Sequence, residues 1–176
     1  MLERTRGLRL PLCVLVAVVS VSGAAQTRKS ASPAKINPAA EALRLNNLGV
    51  AYMGQQRLAE ALRAFRRSEQ LSAKLGIPRL NQAIALLNLQ RFAEARRVLK
   101  AVLERDPDNA RVWYNLGLLD RAQGQDEAAL ADFQRAAKLA PNDPDTWYFL
   151  GATFSQLHRE KDAIAALNRG ARVLRE

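Results

Sequence analysis

Apolar residues in the last third of the chain fall into alternating runs, each spaced like a helix buried on one side. Between 110 and 123 Trp113, Leu116, and then Leu118 and Leu119 recur at helical spacing. The polar triplet Gln123-Gly124-Gln125 ends that run. A second run follows with Ala129, Leu130, Phe133, Ala136, Ala137 and Leu139, after which Pro141 and Pro144 bracket a break. Asp143-Pro144 has the form of an N-cap followed by proline at the first helical position, where a missing N–H costs nothing. Asn37-Pro38 has the same form near the start of the patterned region, and Asp106-Pro107 closes another helix. The pattern predicts pairs of helices joined by short polar turns.

The pattern also repeats. At an offset of 34 residues, Trp113, Leu116, Gly117, Ala129, Phe133 and Ala136 return as Trp147, Leu150, Gly151, Ala163, Leu167 and Gly170, with His158 in the place of Gly124. Walking backwards, Gly117 is preceded by Ala83 and Gly49, Ala129 by Ala95 and Ala61, and Phe133 by Leu99 and Phe65. From Phe154 the series is Asp120, Leu86 and Tyr52. Four repeats therefore cover 42–75, 76–109, 110–143 and 144–176 without an insertion. Self-similarity at such a period marks stacked supersecondary units that cannot bury their apolar faces alone. The expected fold is all-α: a right-handed α-solenoid of four tandem helix-turn-helix repeats. Small residues at 49, 83, 117 and 151 on first helices, and at 61, 95, 129 and 163 on second helices, let the paired helices approach closely.

The pattern Trp-x-x-Leu-Gly, then Ala, Phe, Ala and Pro, at this period resembles the tetratricopeptide repeat over about three-quarters of the chain. The resemblance is close in the repeats at 110 and 144, and good at 42, through Leu48, Gly49, Tyr52, Ala61 and Phe65. It is weaker at 76, where Arg79 and Gln82 stand where large apolar residues are usual, although Ala83, Ala95, Leu99 and Pro107 hold the frame. Asp120 departs from the usual aromatic.

The first 25 residues fall outside the repeats. Arg4, Arg6 and Arg9 precede an apolar run from Leu10 to Val21, and Ser22-Gly23-Ala24-Ala25 follows. That is the three-part form of a secretory signal peptide. The run is shorter than the roughly 20 residues a spanning helix needs, so cleavage is expected; an uncleaved N-terminal anchor is the alternative. Cys13 lies inside the run, so cleavage near Ala24 or Ala25 removes the single cysteine, leaving no disulfide and no cysteine metal site. Residues 26–40 carry Ser, Pro, Lys and Ala without helical periodicity and read as a flexible linker. The folded domain is expected over 41–176, exported to a bacterial periplasm or secreted.

Charge is the one gross bias, +10 formally, with 27 basic against 17 acidic residues. Loss of Arg4, Arg6, Arg9 and Glu3 would leave +8. Much of the excess lies on second helices, including Arg63, Arg66, Arg67, Arg96, Arg97, Lys100, Arg135, Lys138, Arg169 and Arg172. The resemblance puts those slots on the convex side, where they first serve solubility. As an electrostatic patch they would suit anionic membrane or envelope polymer, and with an uncleaved anchor they define the alternative role, a membrane-held accessory factor. Nucleic acid is not expected as a partner, because no aromatic ladder interleaves with the basic residues.

Nothing in the sequence forms a catalytic constellation. His158 is the single histidine and takes a turn slot. Asp106, Asp108 and Asn142-Asp143 flank prolines, where turn and cap chemistry accounts for them. No phosphate loop or nucleophile elbow occurs. Neither an enzyme, a cofactor nor a metal is expected.

Binding is the expectation that remains. The resemblance implies that each first helix turns one face to a concave groove. The groove residues it implies are Asn46, Asn47, Val50 and Met53; Leu80, Asn81, Ile84 and Leu87; Tyr114, Asn115, Leu118 and Arg121; and Tyr148, Phe149, Ala152 and Ser155. Apolar and amide side chains of this kind suit a peptide or amphipathic helix of a protein partner, with the aromatics as anchors. Family members that grip acidic chaperone tails use a basic clamp; Asn46 and Val50 stand at the matching slots, so that role is not expected. At the far end, Leu157, Ile164, Leu167 and Leu174 are expected to leave an apolar flank for a second copy or a larger partner.

Overall fold

A computed structural model describes residues 37–72 and 76–175. Residues 1–36, which hold the segment read as an export signal and most of the linker, lie outside them. The described residues form eight α-helices: α1 (Pro38–Gly54), α2 (Leu58–Leu71), α3 (Gly76–Asn88), α4 (Phe92–Leu103), α5 (Ala110–Ala122), α6 (Asp126–Leu139), α7 (Pro144–Gln156) and α8 (Glu160–Val173). Successive helices pack on one another, and the first helices also meet across repeats, α1 with α3 and α3 with α5. This is the solenoid the period predicts. No described helix is long and apolar enough to cross a membrane.

Two of the helix starts carry side-chain caps. The Asn37 side chain accepts from the Ala39 N–H at 3.0 Å, so α1 begins at Pro38, inside the stretch read as linker. Asn109 caps α5 by accepting from the Val112 N–H at 3.2 Å. Asp143 departs from expectation: it stands at the N-cap of α7, but its carboxylate accepts the Thr146 hydroxyl rather than a backbone N–H. The two tryptophans fix the approach to their helices in the same way. Trp113 Nε1–H donates to the Pro107 carbonyl and Trp147 Nε1–H to the Pro141 carbonyl, each at 2.8 Å.

The turn within each repeat has one shape regardless of composition. The N–H groups of Arg57, Arg91, Gln125 and Arg159 donate to the carbonyls of Tyr52, Leu86, Asp120 and Phe154, all at 2.9 Å. Ahead of these donors Gln56, Gln90, Gly124 and His158 sit at φ of 59°, 57°, 71° and 56°. Only Gly124 takes that conformation freely; the other three carry a left-handed cost of roughly 1–2 kcal/mol each. Packing of the paired helices, not the turn residue, dictates the bend.

That packing rests on small residues, which in three repeats lack a β-carbon. A β-carbon at Gly117 would lie 2.8 Å from the Phe133 ring. One at Gly151 would lie 2.7 Å from Leu167 Cγ, and one at Gly49 would overlap the Phe65 ring. Phe65, Leu99 and Phe133 are fully buried in this slot, and Ala61, Ala95 and Ala129 have no exposed surface beside them. Two apolar clusters result, one from α2 to α5 and one from α6 to α8.

The departures in the second and third repeats are compensated by charge. Arg79 and Gln82 on α3 both donate to Glu69 on α2, Arg79 Nε at 2.7 Å and Gln82 Nε2 at 2.5 Å. Burial opposes the charge of Glu69, but the hydrogen bonds from Gln82 and Arg79 outweigh it and hold the carboxyl below the usual range. Asp120, its side chain 4% exposed, pairs with Arg96 on α4, and the same guanidinium donates to Gln123 Oε1 at 2.9 Å. Arg96 thereby staples the second repeat to the third.

Asp132 on α6 shares the Asp120 site. Burial, the Asp120 charge and the hydrogen bond between the two carboxyls push Asp132 up to about 7, against the pull of Arg96. The native state thus binds the Asp132 proton more tightly than the unfolded chain, where the carboxyl titrates near 3.8. Its favourable contribution is complete below that value and is lost as pH rises through about 7. The urea midpoint of the protein should therefore fall between about pH 4 and pH 7, and Asp132→Asn should flatten this slope. An unchanged slope in the variant would show that Asp132 does not carry it.

Candidate functional site

The inner face is built by α3, α5 and α7, with the end of α6 closing one side. Ile84, Ala110, Arg111, Tyr114, Asn115, Leu118, Ala140, Asp143 and Asp145 line a cavity of about 510 Å³ there. Four of the residues implied by the repeat pattern meet in it: Ile84 from the second repeat, and Tyr114, Asn115 and Leu118 from the third. Helical spacing explains the third-repeat set, since 111, 114, 115 and 118 share one face of α5.

The aromatic side chains form a single array. The Tyr114 ring stands edge-on to Phe133 at 5.9 Å and to Phe149 at 5.7 Å. Phe149 stacks on Phe133 at 5.8 Å, and the Arg121 guanidinium lies 5.5 Å from the centre of the Phe149 ring. Tyr114 is therefore braced by the next repeat, which gives a rigid anchor at the cavity wall. Burial, with Asp145 and Asp143 nearby, pushes its phenol up to about 12. Tyr114 stays protonated at ordinary pH and offers an O–H donor. Asp143 and Asp145 give the mouth an acidic edge and Arg111, exposed, a basic one.

The other implied residues are distributed differently. Asn81 Nδ2–H donates to Asn46 Oδ1 at 2.9 Å, and Asn115 Nδ2–H to the Arg111 carbonyl at 2.6 Å. These amides thus join helices or brace their own backbone. Asn46 is buried, and only Asn47 of the set is exposed. Leu80 is 7% exposed and belongs to the core, because its face of α3 packs against α2. Met53 and Leu87 pack partly buried against the same cluster. Val50 and Ser155 are exposed and Ala152 is half-buried. Tyr148, 59% exposed, touches the array edge-on through Phe149 at 5.3 Å. It does not line the Tyr114 cavity. It opens instead on a smaller apolar depression of about 200 Å³ with Pro144, Leu167, Gly170, Ala171 and Leu174. Sequence reasoning missed Arg111, Asp143 and Asp145; the i, i+3 relation of Arg111 to Tyr114 was the available signal for the first.

Two family models described as tetratricopeptide repeat match residues 80–144 and 42–72, together more than half of the chain. Among solved structures, MamA 41-end from Desulfovibrio magneticus RS-1 is 23% identical, with 76% of each chain covered and a TM-score of 0.65. A crystal structure of MamA is 15% identical over 76% of this chain and 78% of that one, with a TM-score of 0.66. A MamA RS-1 ArsTM double mutant is 23% identical over 77% and 76%, with a TM-score of 0.64. At these identities the likeness is one of fold. No curated protein sequence matches the chain.

Proposed function

The chain belongs to the tetratricopeptide repeat family, and we propose that it is an exported scaffold whose inner groove holds a peptide or helix of a partner protein. The braced Tyr114 at the wall of the 510 Å³ cavity carries this reading. A rigid aromatic beside Ile84 and Leu118 supplies an apolar anchor site, and its phenol O–H can donate to a guest carbonyl. Assembly in the cell envelope is the setting that an export signal suggests.

Leu157, expected on the apolar flank, packs partly buried against the α6–α8 cluster instead, while Ile164, Leu167 and Leu174, joined by Tyr148, are exposed and support a second contact, with another copy or a larger partner. Exposed large apolar side chains this close together favour an interface over open solvent.

Photo-cross-linking in the native compartment tests the groove. A photoreactive residue at Ala110, in the cavity, should capture a partner, and one at Leu174 reads the terminal flank. Arg111→Ala leaves melting unchanged, because the residue is exposed, and should lower capture from Ala110. Tyr114→Phe keeps the anchor ring and should retain most of it. Equal capture in the Arg111→Ala variant, or capture from Leu174 alone, contradicts the groove reading. Export is tested separately by N-terminal sequencing of the processed protein: a start near Gln26 is expected, and an intact Met1 or Leu2 start contradicts cleavage.

A further inference from the structure

We propose that a second binding surface, a shallow basic trough between α4 and the α5–α6 turn, takes an acidic peptide segment. The trough has a volume of about 670 Å³ and is lined by Arg96, Arg97, Lys100, Glu104, Gln123 and Gln125, with Ala93 and Ala101 between them. It shares no residue with the Tyr114 cavity.

The charges of the trough differ in how they are committed. Arg96 is held by Asp120 and Gln123, so it stands as a fixed wall whose charge is already met by a carboxylate. Arg97 and Lys100 are exposed, and neither forms an ion pair among the described residues. Other basic side chains nearby are already in ion pairs: Arg91 and Arg66 share Glu94, and Arg79 pairs with Glu69. The uncompensated charge of α4 is thus concentrated on two neighbouring side chains beside a third that cannot move away. An adjoining depression of about 440 Å³, which shares Arg97, Ala101 and Glu104, continues the surface across α4.

The rest of the lining selects a peptide over other anions. Ala93 and Ala101 leave low ground where a main chain can lie close to α4, and the Gln123 and Gln125 amides at the rim can bond to peptide groups. Guanidinium and ammonium groups then meet carboxylates. Glu104 repels a uniformly charged surface but is accommodated by a chain that spaces its acids around it. No aromatic side chain lines the trough, which leaves a single-stranded nucleic acid without a stacking platform.

The test is fluorescence anisotropy of a fluorescein-labelled peptide of alternating glutamate and serine, whose acids are spaced to pass Glu104, with the full chain at low ionic strength. The parent should bind, and added salt should weaken binding. Arg97→Ala combined with Lys100→Ala should lower affinity about tenfold, the scale of two surface charge contacts. Arg63→Ala combined with Arg172→Ala removes the same charge elsewhere and should stay within about twofold. Equal loss in both double variants would mean general attraction to a cationic protein and would overturn the proposal, as would absence of binding. Anionic phosphatidylglycerol vesicles form the second arm. Vesicle binding that depends on Arg97 and Lys100 while the peptide fails to bind would reassign the surface to a membrane.

Discussion

A large side chain set against a small residue holds each helix pair together, and in three of the four repeats that residue lacks a β-carbon altogether. Phe65 sits against Gly49, Phe133 against Gly117 and Leu167 against Gly151, with Ala83 and Leu99 in the corresponding slots of the second repeat. Because the helices close to this distance, the turn between them has one geometry available. It is adopted even where glutamine or histidine must enter the left-handed region. The same closeness fixes the angle at which each first helix faces the inner groove. The Tyr114 cavity is therefore a consequence of core packing, not a separate feature added to it.

Departures from the repeat pattern show what the stack tolerates. Arg79 and Gln82 would be poor replacements for apolar residues in isolation, since burial of unpaired polar groups is costly. Glu69 on the neighbouring helix receives both and stays charged. Asp120 replaces an aromatic, and Arg96 reaches from the preceding repeat to meet it. In each case the compensation crosses between helices, so a local defect becomes a tie between elements. Asp132 beside Asp120 is the residue left over, and its raised titration is the electrostatic cost of placing two carboxyls in one site. The basic trough arises from the same arrangement. Arg96 is drawn inward to Asp120, which leaves Arg97 and Lys100 as the outward charges of α4.

Much of the fold was legible because a period of this kind constrains many positions at once. Gly117 and Phe133 identify their own partners, and the offset transfers that pairing to the other repeats. The start of α1 was also readable, in Asn37-Pro38, although the absence of apolar periodicity at 38–40 suggested linker. The site was less legible. Ile84, Tyr114, Asn115 and Leu118 converge as the family pattern implies, but Leu80 is drawn into the core and Asn46 is bonded to Asn81. The cause is physical: a slot on a first helix is covered or free according to what the adjoining repeat places over it. Tyr114 and Tyr148 occupy equivalent slots, yet Tyr114 is braced by Phe133 and Phe149 while Tyr148 is largely exposed. Single-chain spacing does not carry that information. The acidic mouth at Asp143 and Asp145 was hidden for a different reason, since Asp143 had an adequate explanation in helix capping and Asp145 follows it in the first turn of α7.

The most direct measurement of this account is urea unfolding of Gly117→Leu, because its two contributions have opposite signs. Helix propensity alone favours leucine over glycine by about 0.8 kcal/mol. Collision with the Phe133 ring, which leaves no room even for a β-carbon, should instead make the variant less stable by about 1–3 kcal/mol. A loss of that size, with an unchanged denaturant slope, is the predicted result. A variant as stable as the parent, or more stable, would contradict the claim that close approach at the glycine slots holds the solenoid together.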